Sequence, residues 1–330
     1  MKKGLIFVII SIFVLGSLLF LVRPKNSKNT DNSRIKIVAT LYPQYDFAKK
    51  IGGDKVDVSL LLTPGTETHT YEPTPQDLIS INESKLFIYT GKYMEPWADR
   101  IISSVDSKST KVLDASKNIS LIKSEDDDDE EEDENEKNEH EHDEHDEHKH
   151  EDYHHEFDPH IWLNPKNAII MVKNITEELC AIDNENDAYY RKNSEELIKQ
   201  IEELDGDFET VVNEASSRKI AFGGTFAYTY FINRYGLEYA TAYDSCGESA
   251  EPSVAKVKEV IDYMKKNNIK VVFYQELSAG KIADSIAAET GAQKLVFNTA
   301  HNPSQEDYKN GVSYIELMRR NLENLKIALN

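Results

Sequence analysis

The stretch Leu197-Ile-Lys-Gln-Ile-Glu-Glu-Leu-Asp-Gly-Asp-Phe-Glu-Thr-Val211 sets Leu197, Ile201, Leu204, Phe208 and Val211 at successive spacings of 4, 3, 4 and 3, with Asp and Glu between them. That alternation is one apolar stripe along a long helix with an acidic outer face. On both sides of it the pattern changes to short β-branched runs alternating with helical ones. Before it come Ile35 to Ala39, Val56 to Leu62, Lys85 to Tyr89 and Lys111 to Leu113; after it come Lys219 to Phe222, Glu238 to Ala242, Ile269 to Tyr274 and Lys294 to Phe297. Strands alternating with helices predict βαβ units and mostly parallel sheets. Two such series predict an α/β protein of two Rossmann-like lobes, 35–185 and 216–330, joined by a connecting helix at 186–215. A last amphipathic helix carries Ile315, Met318, Leu322, Leu325 and Leu329, a stripe that reads as core.

The chain has 330 residues and a formal net charge of -21. Phosphate backbones are held by clustered Lys and Arg, so this balance excludes a nucleic-acid surface. The acid is concentrated: Glu125 to Glu156 holds 20 Asp or Glu against Lys137 and Lys149 alone. An insert of this composition, 124–157, has too few apolar residues, Tyr153 and Phe157 alone, to build a core and is expected to be disordered. Its second half carries His140, His142, His145, His148, His150, His154 and His155 among carboxylates, a set of weak cation sites with nitrogen donors. With only Cys180 and Cys246 there is neither a disulfide framework nor a Cys-type zinc site, and a single bridge between the two stays open.

Lys2 and Lys3 precede an apolar run from Leu5 to Val22, followed by Arg23, Pro24 and a polar stretch. Residues 1–24 read as an export signal or uncleaved membrane anchor and 25–34 as a linker, which places the globular body outside the cytoplasm.

Parallel sheets bind ligands at the carboxyl ends of their strands, and the loops there hold the unusual residues. Outside the insert three histidines remain: His69 in Thr63-Pro-Gly-Thr-Glu-Thr-His-Thr-Tyr-Glu-Pro-Thr-Pro75, His160 in Asp158-Pro-His-Ile-Trp-Leu-Asn-Pro165, and His301 in Thr299-Ala-His301. Imidazole is the commonest nitrogen ligand for zinc-like cations. Those first two segments, together with Phe222 to Leu237 ending in Arg234-Tyr-Gly-Leu and with Glu251-Pro-Ser, resemble the zinc and manganese solute-binding proteins of ABC transporters. The resemblance runs from Ile35 to the C-terminus, interrupted by the insert. It implies one metal ion in the cleft between the lobes, a membrane permease as partner, a monomer, and no catalysis.

Carried over by position, His69 and His160 match the two N-lobe histidine ligands of that family. The family's third histidine opens a segment His-x-Ala-(Phe or Tyr)-x-Tyr, and here the run is Thr225-Phe-Ala-Tyr-Thr-Tyr230, so Thr225 stands at the ligand position. His301, in the loop resembling the segment that brings a late ligand, is the candidate replacement. Glu276 ranks below it, with Asp244, Glu248 and Glu251 as further carboxylates on neighbouring loops. Zinc members of the family often carry a His- and acid-rich loop where the insert lies, which favours Zn2+ over Mn2+. Two rivals remain: a hydrolytic zinc enzyme, for which the sequence offers no His-Glu-x-x-His, Gly-x-Ser-x-Gly or Gly-x-Gly-x-x-Gly motif, and a surface zinc buffer or adhesin working through the insert.

Overall fold

The computed structural model describes residues 34–66, 68, 71–124, 156–243 and 252–330. The anchor reading of 1–24, nearly all of the linker, His69, the seven insert histidines, Asp244, Cys246, Glu248 and Glu251 lie outside them. Among the described residues no helix is long and apolar enough to cross a membrane. Ile35–Asn330 is one compact unit.

Its first half runs β1 (Ile35–Ala39), α1 (Tyr42–Gly52), β2 (Val56–Leu60), α2 (Pro75–Asn82), β3 (Leu86–Tyr89), α3 (Ala98–Ile102), β4 (Lys111–Asp114) and α4 (Pro165–Ile182). Then comes the connecting helix α5 (Asp187–Glu214). The second half runs β5 (Lys219–Phe222), α6 (Thr229–Tyr235), β6 (Glu238–Thr241), α7 (Val254–Asn267), β7 (Val271–Tyr274), α8 (Lys281–Thr290), β8 (Gln293–Val296), α9 (Gln305–Asn310) and α10 (Tyr314–Leu329). Every strand pairing is parallel, in the orders β2-β1-β3-β4 and β6-β5-β7-β8. The two sheets therefore share one connection order, and each has a switch point beside its first strand, where loops diverge to opposite sides.

The stripe of α5 behaves as its periodicity predicts. Leu197, Ile201, Leu204, Phe208 and Val211 are all buried, and they join one apolar cluster with Ile37, Leu86 and Ile88 of the first sheet and Ile220, Phe222 and Phe273 of the second. Burial of each such side chain contributes about 1.5–3 kcal/mol, so one helix carries a large share of the adhesion of both lobes. Local chemistry sets its neighbours' ends. Asn164 caps α4 by accepting from the Lys166 N–H, with Pro165 in the first turn where its missing N–H costs nothing. Ser313 and Glu316 form a reciprocal capping box on α10.

Gly223-Gly224 lies just past β5. Gly223 is there for packing: a Cβ on it would sit 2.7 Å from the Cα of Ala283 in α8, so only glycine lets that helix approach the strand end.

The stem of the insert is paired. Lys123 bridges Phe157 in antiparallel fashion, the Ser124 N–H donates to the Glu156 carbonyl at 3.1 Å and the Asp158 N–H to the Ile122 carbonyl at 2.9 Å. Both ends of the acidic segment thus emerge side by side, just before His160.

Two buried carboxylates hold the frame, with opposite dependence on pH. Asp205, on the inner face of α5, accepts from Lys166 Nζ of α4 at 2.9 Å, from Arg234 of α6 at 2.6 and 3.0 Å, and from the Tyr235 hydroxyl at 2.9 Å. Burial alone would raise its pKa, but these donors outweigh burial and hold the carboxyl below its ordinary range. Glu95 is fully buried at the first switch point. It accepts from Thr40 Oγ1 at 2.5 Å and from the Thr90 N–H at 3.0 Å, tying the loop after β1 to the loop after β3. No cation pairs with it among the described residues, and burial pushes its carboxyl up to about 8.

The Asp205→Ala variant is expected to lose about 3 kcal/mol in urea unfolding at pH 7, at the low end for a broken buried pair because Arg234 keeps Glu209. The difference should fade as pH falls below about 4, since a depressed folded pKa stabilises only while the group is ionised. Glu95→Gln should do the reverse. Folded Glu95 keeps a proton that the unfolded chain has lost, so wild type should weaken relative to this variant as pH rises from about 4 to about 8. Parallel pH–stability curves for wild type and Glu95→Gln would contradict this.

Candidate metal centre

His160 opens the short turn Ile161–Leu163 and is 1% exposed. Its ring Nδ1 lies 3.0 Å from Asp158 Oδ1, and its backbone N–H donates to the same oxygen at 2.8 Å. Asp158 is buried, which would raise its pKa; the contacts from His160 and Thr229 overcome this and hold it below the usual carboxylate range. An ionised carboxylate accepts only, so Nδ1 is the donor and Nε2 is the nitrogen with the lone pair. The Asp158 carbonyl in turn receives the Tyr230 hydroxyl of α6 at 3.0 Å, and that hydroxyl accepts the Ile122 N–H at 3.1 Å. Asp158 is thus fixed from the second half of the chain.

His301 follows β8. Its Nδ1 lies 2.6 Å from Thr299 Oγ1, and its backbone carbonyl accepts the Tyr42 N–H of α1 at 3.2 Å. Thr299 donates its N–H to Glu276 Oε2 at 2.8 Å and its hydroxyl to Glu276 Oε1. Burial raises the Glu276 carboxyl above its ordinary range, and the Thr299 donors offset part of that rise. The two imidazoles meet: their centroids are 5.9 Å apart at 63°. Trp162 packs against both, at 5.5 Å from His160 and 5.7 Å from His301, and donates its indole N–H to the Thr299 carbonyl at 2.7 Å. Two histidines from the two halves of the chain, one before and one after the connecting helix, therefore face each other over a buried indole.

Among the described residues no three His, Cys, Asp or Glu side chains gather closely enough to hold a metal ion, so this pair needs donors from elsewhere. The loop leading to position 69 is pinned beside it. The Gly65 N–H donates to Asn302 Oδ1 at 2.7 Å, and Asn302 Nδ2 to the Thr66 carbonyl at 2.8 Å. Asn302 is the residue after His301. Thr225 lies in the loop between β5 and α6, where its carbonyl accepts from Gln275 Nε2 at 2.9 Å. Glu276 reaches His301 through Thr299. Trp162 touches both histidines, while the Tyr71 hydroxyl is engaged by Asp77 at 2.7 Å. Cys180 is a buried thiol on α4.

Sequence reasoning missed Asp158, Thr299 and Asn302. A signal was available for the first two: each histidine has an oxygen-bearing side chain two residues before it, in Asp158-Pro-His160 and Thr299-Ala-His301. At that offset a turn brings the oxygen onto Nδ1. Asn302 gave no such signal, because its partners lie more than two hundred residues away.

A family model described as "Zinc-uptake complex component A periplasmic", ZnuA, matches residues 37–328. The chain belongs to the ZnuA family. It is 35% identical over 324 residues to the high-affinity zinc uptake system protein ZnuA of Bacillus subtilis (strain 168), covering 98% of this chain and 97% of that protein. The structure of the metal-dependent lipoprotein YcdH from Bacillus subtilis superposes with a TM-score of 0.73 at 33% identity, covering 90% of this chain and 99% of that one. The Zn(II)-bound ZnuA-like domain of Streptococcus pneumoniae AdcA superposes with a TM-score of 0.72 at 29% identity, with 90% and 99% covered. Members of this family are transport and binding proteins and not enzymes.

Removing the partner that orients His160 should weaken metal binding without unfolding the protein. Asp158→Asn is expected to lower zinc affinity about 10- to 100-fold, the usual effect of losing a carboxylate behind a ligating histidine. A chelator competition titration reads this directly, and an unchanged affinity would remove Asp158 from the site.

Proposed function

We propose that this chain is the extracytoplasmic zinc-binding component of an ABC transporter, capturing Zn2+ between its two lobes and delivering it to a membrane permease. The observation that carries this reading is the His160–His301 pair over Trp162, in a chain of the ZnuA family. Zinc favours imidazole nitrogen, takes four ligands in tetrahedral arrangement, and has no redox chemistry, which suits capture and release. His160 and His301 supply two nitrogens. His69 supplies the third, a role supported by the tie from Asn302 to Gly65 and Thr66. A water or carboxylate completes the shell, and Thr225, with a neutral hydroxyl, is a poor substitute for the family's histidine. Mn2+, which prefers oxygen donors, fits this set less well.

In this scheme 35–185 and 216–330 are the two halves of the clamp, 186–215 the strut between them, and 1–24 the anchor that keeps the body at the outer face of the membrane. The protein works as a monomer. The insert, with its seven histidines, gathers zinc in weak sites and releases it beside His160, where its two ends emerge. The rival reading is a surface buffer or adhesin in which the insert is the working part.

A zinc titration against a competing chelator separates the two. A chain lacking 125–156 is expected to keep one tight zinc equivalent and to lose it on His160→Ala or His301→Ala. Disappearance of the tight equivalent with the insert alone would favour the buffer. Affinity should fall as pH drops below about 6.5, because a protonated imidazole cannot ligate; pH-independent binding would count against histidine ligation.

A further inference from the structure

The ligand reading leaves one cluster unexplained. Glu276, the residue after Gln275 at the end of β7, turns its carboxyl away from solvent onto Thr299, and Thr299 lies against His301. The donors at that carboxyl are numerous. Besides the Thr299 hydroxyl, the backbone N–H groups of Thr299, Ala300 and Glu276 itself reach it. In each of these contacts the N–H or hydroxyl donates and the Glu276 carboxyl accepts. The backbone is held in an unfavourable shape to achieve this: Leu277 has φ 64° and Ala300 φ 58°, left-handed values that a residue with a Cβ rarely adopts. Both positions border the cluster, one just after Glu276 and the other between Thr299 and His301. Strained backbone that persists beside a binding group marks geometry maintained for a use.

The Thr299 hydroxyl has a single proton, and it points at Glu276 Oε1. Towards His301 Nδ1, 2.6 Å away, its oxygen can then only accept. We infer that Glu276 and Thr299 are positioning residues that set the tautomer of His301, keeping the proton on Nδ1 so that Nε2 presents its lone pair to zinc. Glu276 is then no zinc ligand itself. This rests on the reading of His301 as a ligand, and it makes the two halves of the site alike. Asp158 fixes His160 directly through Nδ1, and Glu276 fixes His301 through one intervening hydroxyl. Neither imidazole has to change tautomer when zinc arrives, so the site is ready before the ion is bound.

The test is nitrogen NMR of the full chain, labelled at histidine and stripped of zinc, with the His301 signals identified by their loss in His301→Ala. The expected result is a protonated Nδ1 and an unprotonated Nε2 in wild type and in Thr299→Ser, which keeps the hydroxyl. Thr299→Val, of the same shape without it, should shift His301 towards the Nε2–H tautomer and bind zinc about 10- to 100-fold more weakly. Rescue by serine separates positioning from packing, since a general loss of fold would not be restored by a smaller residue. A wild-type His301 protonated on Nε2, or an unchanged tautomer in Thr299→Val, would overturn the relay. Zinc affinity insensitive to His301→Ala would instead overturn the ligand reading on which the relay rests, and the zinc-free tautomer spectrum keeps the two failures apart.

Discussion

The apolar stripe of α5 is the constraint on which the rest depends. Each four-stranded sheet is too small to bury both of its faces alone, and the helices that cover them, α1 and α4 on the first sheet and α10 on the second, all pack on the same rod. Both lobes are therefore referenced to one rigid rod of 28 residues. Asp205 adds direction to an adhesion that is otherwise unspecific. Its carboxylate draws Lys166 from one side and Arg234 and Tyr235 from the other onto a single point of the rod. Apolar burial sets how strongly the lobes adhere, and the ionic knot sets where.

From this frame follows the character of the histidine pair. The lobes also join directly near the histidines: Tyr42 to the His301 carbonyl, Trp162 to the Thr299 carbonyl, and the Tyr314 hydroxyl to the Trp162 carbonyl at 2.6 Å. A cleft crossed by so many short hydrogen bonds has little freedom to swing open. The polar groups beneath it are correspondingly buried and satisfied, as the low dielectric demands. The two imidazoles are held in orientation by these contacts, and preorganisation of that kind favours binding because less ordering has to be done on association.

The sequence made the fold legible because parallel α/β units write a local signal. Ile35–Ala39 and Lys219–Phe222 are strands within the expected bounds, and α5 is a long helix that contains the whole stripe from Leu197 to Val211. The strand at Val56 stops at Leu60, two residues short of the apolar run, because Leu61 and Leu62 already belong to the loop that turns towards position 69. Apolar character continues there since the loop packs on Trp97 and Phe87, which periodicity alone cannot distinguish from pairing in a sheet.

What the sequence determined by itself was local: two runs of strand and helix about an amphipathic rod, an acidic insert, and the loops in which His160 and His301 sit. Those features follow from hydrogen bonding and one-sided burial over a few residues. The tertiary structure alone decided that His160 meets His301 over Trp162, that Asn302 holds the loop of Gly65, and that Asp205 gathers charges from two helices. Trp162 and Thr299 are 137 residues apart, and nothing in the composition of either neighbourhood announces the other. Such pairings arise only when the helices of both halves settle on one rod, because packing brings together side chains that the local pattern keeps apart.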